Sequence, residues 1–306
     1  MTRPVVQISY VRSVAPSPDW RPRLVALDID GTLRTDADDG VETVRPAVRD
    51  ALDAVRAAGA HVVLCSGRSM LAVLDFVAQF GDWRGPAICS NGAVWLDTGT
   101  ASVLRRREFE LTRCVALVRE MLPGAAFAAE EIGFGNRFTD GFGHVPFAGH
   151  NRLVDYAEFV ATPTSRLTVY WPGRTAIELN AALAAASLTG ELAELLAYVN
   201  YSVGEPDAWL YGSPAGVTKG SALAELCLRL GVSAAETLAI GDAGNDMEML
   251  AWAAHGVAMG QAPAAVRAVA DEVTASVAEN GAALALNRWF RTGLESTGVE
   301  SGSFSG

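Results

Sequence analysis

Residues 24–32 have the sequence Leu-Val-Ala-Leu-Asp-Ile-Asp-Gly-Thr, a short apolar run followed by two carboxylates and a glycine. Four consecutive apolar residues predict a strand that is buried on both faces, as in a parallel sheet. Residues i and i+2 lie on one side of an extended chain, so Asp28 and Asp30 leave this strand together. Taken alone, such a pair is as typical of a turn or a helix cap as of a ligand site.

The same pattern of apolar run and helix recurs towards both ends of the chain. Strands are predicted at 61–65 and 86–89, and again at 237–240 and 256–259, with amphipathic helices between them. Short apolar strands that alternate with helices are typical of parallel sheets. We therefore predict an α/β fold with a doubly wound, Rossmann-like parallel sheet.

The middle of the chain differs, because strand-like pieces at 102–107, 167–171 and 197–203 accompany helical stretches at 112–122 and 177–196. This pattern predicts an inserted α+β domain with an antiparallel sheet. The expected division is one discontinuous domain at 22–93 and 207–292, an inserted domain at 94–206, and flexible ends at 1–21 and 293–306.

Composition restricts the partners. The 306 residues include 24 basic and 35 acidic side chains, a net charge of −11, which argues against nucleic acid or an anionic membrane as a partner. No apolar stretch approaches the roughly 20 residues of a spanning helix, and residues 1–20 lack the apolar core of a signal peptide. Four scattered cysteines predict buried thiols in a reducing compartment. We expect a cytoplasmic protein, either a monomer or a small homo-oligomer.

Polar clusters follow the predicted strands at residues 28–32, 66–68, 90–92 and 241–246. The carboxyl ends of parallel strands meet at one edge, where ligands bind. Asp242 and Asp246 would join Asp28 and Asp30 there, and so many carboxylates are costly together without a cation. Oxygen ligands suit a hard ion, so we predict Mg²⁺ rather than zinc.

Groups that bind anions are predicted at the same edge. Ser66 and Gly67 are expected to open a helix, whose N–H groups and positive end favour an anion, and Arg68 could add a further donor. Lys219 begins another predicted helix, where a cation opposes the dipole slightly. A phosphate between Mg²⁺ and Lys219 would explain its position.

These residues resemble the haloacid dehalogenase superfamily of phosphatases over nearly all of 23–290. The matching motifs are DIDGT (28–32), SGR (66–68), GVTKGSAL (216–223) and GDAGNDMEML (241–250), while SNGA (90–93) and GVAMGQAP (256–263) are similar to the Cof-type branch with a class IIB cap. The resemblance implies an aspartyl-phosphate mechanism in which Asp28 is the nucleophile. It makes Asp30 the general acid and base, and Lys219 and Ser66 the groups that bind the phosphoryl oxygens.

The resemblance also implies the remaining roles. Asp28, Asp242 and the Asp30 backbone carbonyl would bind Mg²⁺, and Asp246 would support the site by orienting Lys219 or a metal-bound water. The resemblance assigns the binding of phosphate or substrate to Thr32, Gly67, Arg68, Asn91 and Asn245. Cap loops that include Arg137, Phe142 and His144 are expected to supply substrate contacts. Trp209 and Tyr211 stand where many Cof-type proteins have an acidic residue, which bears on substrate choice.

The first hypothesis is a Mg²⁺-dependent phosphomonoester hydrolase that acts on a small phosphorylated metabolite, either a sugar phosphate or a nucleotide or cofactor precursor. A second enzyme hypothesis is a sugar phosphomutase-like protein or a dedicated sugar-phosphate phosphatase of the same branch. A third hypothesis, from another class, is a non-catalytic metabolite-binding or regulatory module. Retention of Asp28, Asp30, Lys219 and Asp242 argues against the third.

Overall fold

The fold was analysed in a computed structural model, which describes residues 17, 19–34, 44–81, 83–143, 147–187, 190–201 and 207–290. The strands are β1 (Leu24–Leu27), β2 (His61–Cys65), β3 (Pro86–Cys89), β4 (Val94–Asp97), β5 (Ser102–Arg106), β6 (Ala126–Glu131), β7 (Gly135–Phe138), β8 (His150–Leu153), β9 (Leu167–Trp171), β10 (Leu196–Tyr201), β11 (Ala208–Pro214), β12 (Thr237–Gly241), β13 (His255–Ala258) and β14 (Glu272–Val273). The helices are α1 (Pro46–Ala57), α2 (Met70–Ala78), α3 (Leu111–Met121), α4 (Tyr156–Ala161), α5 (Ala176–Ser187), α6 (Glu191–Leu195), α7 (Lys219–Leu230), α8 (Met247–Trp252), α9 (Ala264–Val269) and α10 (Gly281–Phe290).

The larger sheet has the strand order β14-β13-β12-β1-β2-β3-β4-β5. Its strands from β14 to β3 are parallel, and strand order reverses between β1 and β12. Val25 and Leu27 face a core formed with α1, α2 and α10, whereas Leu24 and Ala26 face a core formed with α7 and α8. Helices thus cover both faces, which confirms the predicted doubly wound α/β fold.

The smaller sheet has the order β10-β11-β9-β6-β7-β8 and is antiparallel except for the β7–β8 pair. Alternate residues such as Phe127, Val169 and Leu210 pack against α3–α6 on one face. The residues between them, Glu130 and Arg166 among others, lie on the opposite face and contact the larger sheet's loops. The predicted α+β insertion is therefore present.

Sheet membership differs from the predicted division at both junctions. The hairpin β4–β5 extends the larger sheet beyond residue 93, because β4 pairs antiparallel with β3. At the other junction β11 pairs with β9 and belongs to the smaller sheet as far as Pro214. Pairing of neighbouring strands has no signature in an isolated apolar run, so the sequence placed both boundaries too early.

Other local predictions had mixed outcomes. The helix predicted over 177–196 is two helices, α5 and α6, and β6–β8 were not predicted. Trp20 falls in a segment predicted to be flexible, but its ring packs edge-on against Trp289, with 5.0 Å between centroids. The predicted flexible end at 293–306 lies outside the described residues.

All four cysteines are buried and free, as predicted. In the described part of the chain, no helix has the length and apolar character needed to cross a membrane.

Candidate active site

Asp28 lies directly after β1, at the point where strand order reverses, and is nearly fully buried. Its Oδ1 accepts a hydrogen bond of 2.6 Å from Lys219 Nζ, which also donates to Asp246 Oδ1 at 2.7 Å. Lys219 is 1% exposed and Asp246 is fully buried. A buried ammonium group is therefore held between two carboxylates, an arrangement that is stable only when each charge has a partner.

The start of α7 determines where Lys219 points. Thr218 caps the helix by accepting from Ser221 N at 3.0 Å, and its hydroxyl donates to Glu248 of α8. Gly220 leaves no space for a side chain against α8, because a Cβ there would approach Glu248 to 2.6 Å. The first turn of α7 is consequently fixed against α8, and Lys219 is directed to the polar edge of the sheet.

Asp246 organises the loop after β12. Its Oδ2 accepts from the backbone N–H groups of Asp242 and Ala243, both at 3.0 Å. Carboxylate oxygens of Asp28, Asp242 and Asp246 all lie within 4.8 Å of one another. Asp242 Oδ1 is buried and has no hydrogen-bond partner among the described residues. This set of oxygen donors fits a hard divalent cation.

The ionisation of this cluster reflects its burial. Burial raises the pKa of Asp28 well above its ordinary value, Lys219 opposes the rise, and Asp246 and Asp242 add to it. Burial likewise raises the pKa of Asp242 to about 7, with repulsion from Asp246 adding to the effect. A bound divalent cation would favour the ionised form of both groups.

Asp30 is more exposed than Asp28 and is held by arginines. Arg68 Nε and Nη2 donate to its two carboxylate oxygens at 2.8 and 2.9 Å, and Arg34 Nε lies 3.4 Å away. From the sequence, Arg68 was predicted to donate to phosphate, and its pairing with Asp30 was not predicted. Arg34 was missed altogether, because an arginine four residues after a carboxylate carries no distinctive signal.

The predicted anion-binding residues come together beside the carboxylates. Asn91 has a left-handed backbone conformation (φ 54°), and its Oδ1 accepts from Asn245 Nδ2 at 2.9 Å. A Cβ on Gly67 would lie 3.1 Å from Asn91 Oδ1, so a glycine permits this close approach. Ser66 Oγ accepts from Arg68 N at 3.1 Å. One expectation was wrong: α2 begins at Met70 with Ser69 as its cap, so residues 66 and 67 lie in the loop before that helix.

Two further predicted residues have unused polar atoms. The hydroxyl of Thr32 and the side-chain oxygen of Asn245 are buried and have no hydrogen-bond partner within the described ranges. Buried polar atoms are rarely left in this state unless a ligand or an ordered water completes them. Both atoms are therefore available to a ligand of the site.

The cap residues behave differently from expectation. Arg137 was expected to contact substrate, but it is 1% exposed and donates to the carbonyl oxygens of Phe159 (3.0 Å) and Thr162 within the smaller domain. Phe142 is buried in an aromatic cluster with Tyr170 and Trp209, whose rings lie 4.6 Å apart. His144 lies outside the described residues.

Besides Arg34, two residues next to the site were not predicted from the sequence. Gln261 Nε2 donates to the Gly31 carbonyl oxygen at 2.6 Å and lies 3.4 Å from Asp242 Oδ2. Its only sequence signal is a polar side chain soon after β13, within GVAMGQAP. Glu130 directly follows the apolar run 126–129, and its carboxylate accepts hydrogen bonds from Met70 N at 3.0 Å and from the hydroxyl of Ser90.

The sequence is similar to those of known hydrolases over most of its length. The family model of haloacid dehalogenase-like hydrolases matches residues 25–122 and 188–286. The chain is 29% identical over 286 residues to the putative phosphatase YxeH of Bacillus subtilis, covering 87% of this chain and 97% of that protein. It is 28% identical over 273 residues to the pyridoxal phosphate phosphatase YbhA of Escherichia coli, covering 84% and 96%.

Solved structures share the fold. A sugar phosphatase of haloacid dehalogenase subclass IIB superposes with a TM-score of 0.69 at 23% identity, covering 87% of this chain and 98% of that one. A haloacid dehalogenase-like hydrolase from B. subtilis gives a TM-score of 0.71 at 22% identity, covering 87% and 99%. Both sheets are therefore part of an architecture that other proteins adopt over nearly their whole length.

Proposed function

The chain belongs to the haloacid dehalogenase-like hydrolase family, and on that premise we propose that it is a Mg²⁺-dependent phosphomonoesterase acting on small phosphorylated metabolites. One observation carries the proposal: the buried Lys219 ammonium group bonds Asp28 and Asp246 beside Asp242. This arrangement combines a carboxylate nucleophile, a fixed cation and a set of metal ligands at one edge of the sheet. Phosphoryl transfer depends mainly on such positioning and charge stabilisation.

The proposed reaction has two steps. Asp28 attacks phosphorus, an O–P bond forms to its carboxylate, and the bond to the leaving oxygen breaks while Asp30 donates a proton to that oxygen. A water molecule then attacks phosphorus, Asp30 takes its proton, and orthophosphate leaves with Asp28 regenerated. Lys219 stays on Asp28 and offsets the charge of the phosphoryl oxygens, while Asp246 holds Lys219 in place.

Asp28, Asp242 and the Asp30 backbone carbonyl would hold Mg²⁺, which supplies the positive charge that allows a carboxylate to approach an anionic phosphate. The loop residues Ser66, Gly67 and Asn91, together with Asn245 and Thr32, would bind the phosphoryl oxygens. Support for this assignment comes from the contact between Asn91 and Asn245, and from the Thr32 hydroxyl, which can donate and has no hydrogen-bond partner among the described residues.

The smaller sheet with α3–α6 would act as a cap that excludes water and selects the leaving group. Its face towards the core carries an aromatic cluster with Phe142, Tyr170 and Trp209. Relatives named as a pyridoxal phosphate phosphatase and a sugar phosphatase support a substrate of that size, either a sugar phosphate or a cofactor precursor. The proposal includes a cytoplasmic monomer or small homo-oligomer, consistent with four buried free thiols.

A panel of phosphorylated metabolites, assayed with and without Mg²⁺, tests the proposed function. We expect hydrolysis of at least one phosphomonoester that requires the metal and is lost in Asp28→Asn. The matched control is Asp53→Asn, which changes a carboxylate with a 71% exposed side chain on α1. Absence of hydrolysis across the panel, or an Asp28→Asn variant with wild-type rates, would refute the proposal.

A further inference from the structure

Glu130 is a buried carboxylate that belongs to the smaller domain but is bound by the larger one. Its Oε1 accepts from the backbone N–H of Met70 at 3.0 Å, at the start of α2. Its Oε2 accepts from the hydroxyl of Ser90, which follows β3, and from Ser165 Oγ at 3.0 Å within its own domain. Only 4% of the residue is exposed, so these bonds form away from bulk water.

Both core elements that Glu130 contacts are directly connected to the proposed phosphate-binding residues. Ser90 N donates to the Arg68 carbonyl oxygen at 2.8 Å, and Asn91 N donates to the Ser66 carbonyl oxygen at 3.1 Å. These bonds join the turn after β3 to the loop between β2 and α2. A shift of Ser90 therefore moves residues on both sides of the phosphate site.

The turn that Glu130 holds is conformationally unfavourable. Ser90 (φ 50°) and Asn91 (φ 54°) both have left-handed backbone conformations, which side chains with a Cβ adopt at a cost. Such conformations persist where surrounding contacts determine them, and they cluster at functional sites. The hydrogen bond from Ser90 to Glu130 is one of those contacts, and it comes from the cap side.

A second cap residue reinforces the same junction. Arg166 Nη1 donates to the Gly67 carbonyl oxygen at 3.3 Å, and its Nε lies 4.0 Å from Glu130 Oε2. The charge of Glu130 is thus offset by a cation that also contacts the phosphate loop. This ion pair lies within the cap, whereas the hydrogen bonds that its two residues make with Met70, Ser90 and Gly67 cross to the core. Because these buried bonds involve charged groups, they are costly to break, and together they favour one relative position of cap and core.

We propose that Glu130 is a positioning residue that makes the geometry of the phosphate-binding loops depend on the docked cap. This inference rests on the proposed function, because it takes the loops that contain Ser66, Gly67 and Asn91 as the phosphate-binding loops. Contact between Glu130 and substrate is not part of it. The cap acts through Met70 and Ser90 on groups that bind the phosphoryl oxygens.

Orthophosphate binding tests this directly, because orthophosphate has no leaving group for a cap pocket to recognise. Glu130→Gln keeps the side-chain shape but removes the charge. With its oxygen towards Met70 N, its NH₂ group lies beside the Arg166 guanidinium group, and the hydroxyls of Ser90 and Ser165 must accept instead of donating to a carboxylate. We expect its inhibition constant for orthophosphate to rise about tenfold, as for the loss of one charge-assisted hydrogen bond, with Mg²⁺ affinity unchanged. The matched control is Glu131→Gln, whose carboxylate bonds Arg152 at 2.7 Å inside the cap. We expect its constant for orthophosphate to stay within about twofold.

Ser90→Ala provides a second variant that removes only the hydroxyl contact. We expect Ser90→Ala to weaken orthophosphate binding. The double variant with Glu130→Gln and Ser90→Ala should bind orthophosphate no more weakly than Glu130→Gln alone, because both changes break the same hydrogen bond. Unchanged orthophosphate binding in a folded Glu130→Gln protein, or effects that multiply in the double variant, would overturn the inference alone. A wild-type protein that neither binds orthophosphate nor hydrolyses a phosphomonoester would overturn the proposed function and this inference together.

Discussion

The Asp246 carboxylate accepts hydrogen bonds on both of its oxygens, and replacing it with asparagine would disrupt one of these two sets of bonds. Its Oδ1 accepts from Lys219 Nζ at 2.7 Å, and its Oδ2 accepts from two backbone N–H groups at 3.0 Å each. Both sides therefore require an acceptor, but an amide has one oxygen and one NH₂ group. In either orientation of the new amide a donor faces a donor, because the NH₂ group meets the lysine or the two backbone N–H groups.

The expected magnitude follows from the complete burial of Asp246. Leaving a buried charged partner without its acceptor costs several kcal/mol, so we expect Asp246→Asn to lower the free energy of unfolding by about 3 kcal/mol. Lys219 would lose one of its two anchors, and we expect kcat to fall about a hundredfold, which corresponds to about 2.7 kcal/mol of transition-state stabilisation.

Urea denaturation followed by circular dichroism measures the first effect, and steady-state hydrolysis of a phosphomonoester measures the second. Asp53→Asn is the matched control, because its exposed carboxylate lies 3.6 Å from Arg56 on the same helix. That control should stay within about 0.5 kcal/mol of the wild-type protein. If Asp246→Asn also unfolded within about 0.5 kcal/mol of wild type and kept its kcat, the reasoning would be refuted.

Two further predictions concern the metal site. Burial raises the pKa of Asp242 to about 7 from an ordinary value near 4, so without metal the folded chain binds this proton more tightly than the unfolded chain. As the pH rises from about 4 to about 7, the free energy of unfolding should therefore fall by more in the metal-free wild-type protein than in Asp242→Asn. Urea denaturation at a series of pH values measures this difference. If the free energy of unfolding changed equally with pH in both proteins, the prediction would be wrong. Gly31→Ala should weaken Mg²⁺ binding about tenfold in calorimetry, because Gly31 has φ +79° and a Cβ there would collide with the Asp242 carboxylate; unchanged affinity would show that the loop relaxes freely.

The features that could be predicted from the sequence are those that depend on where the strands end. A buried run before Asp28, and another before Asp242, predicted that both carboxylates reach one edge. In the structure their carboxylate oxygens lie within 4.8 Å of one another, and Lys219 donates a hydrogen bond to Asp28. This prediction succeeded because parallel strands share one direction, so residues far apart in sequence must end at the same edge.

The features that the sequence did not predict depend on packing between elements. The bidentate pair of Arg68 with Asp30 joins side chains 38 positions apart and follows from the loop conformation. The contacts of Glu130 form only when β6 lies against the start of α2, and contacts between domains have no local sequence signal. Short strands such as β7 and β8 are also hard to predict, because polar residues interrupt their alternation.

Trapping the phosphorylated enzyme tests most directly whether Asp28 carries the phosphoryl group. In Asp30→Asn, p-nitrophenyl phosphate should still phosphorylate the protein, because nitrophenolate leaves without a proton, whereas hydrolysis of the intermediate lacks its base. Acid quenching with Mg²⁺ present, followed by peptide mass spectrometry, should find one phosphoryl group on the peptide that contains Asp28. Phosphate on another residue, or nitrophenolate release over many turnovers with no labelled peptide in this variant, would show that Asp28 is not the nucleophile.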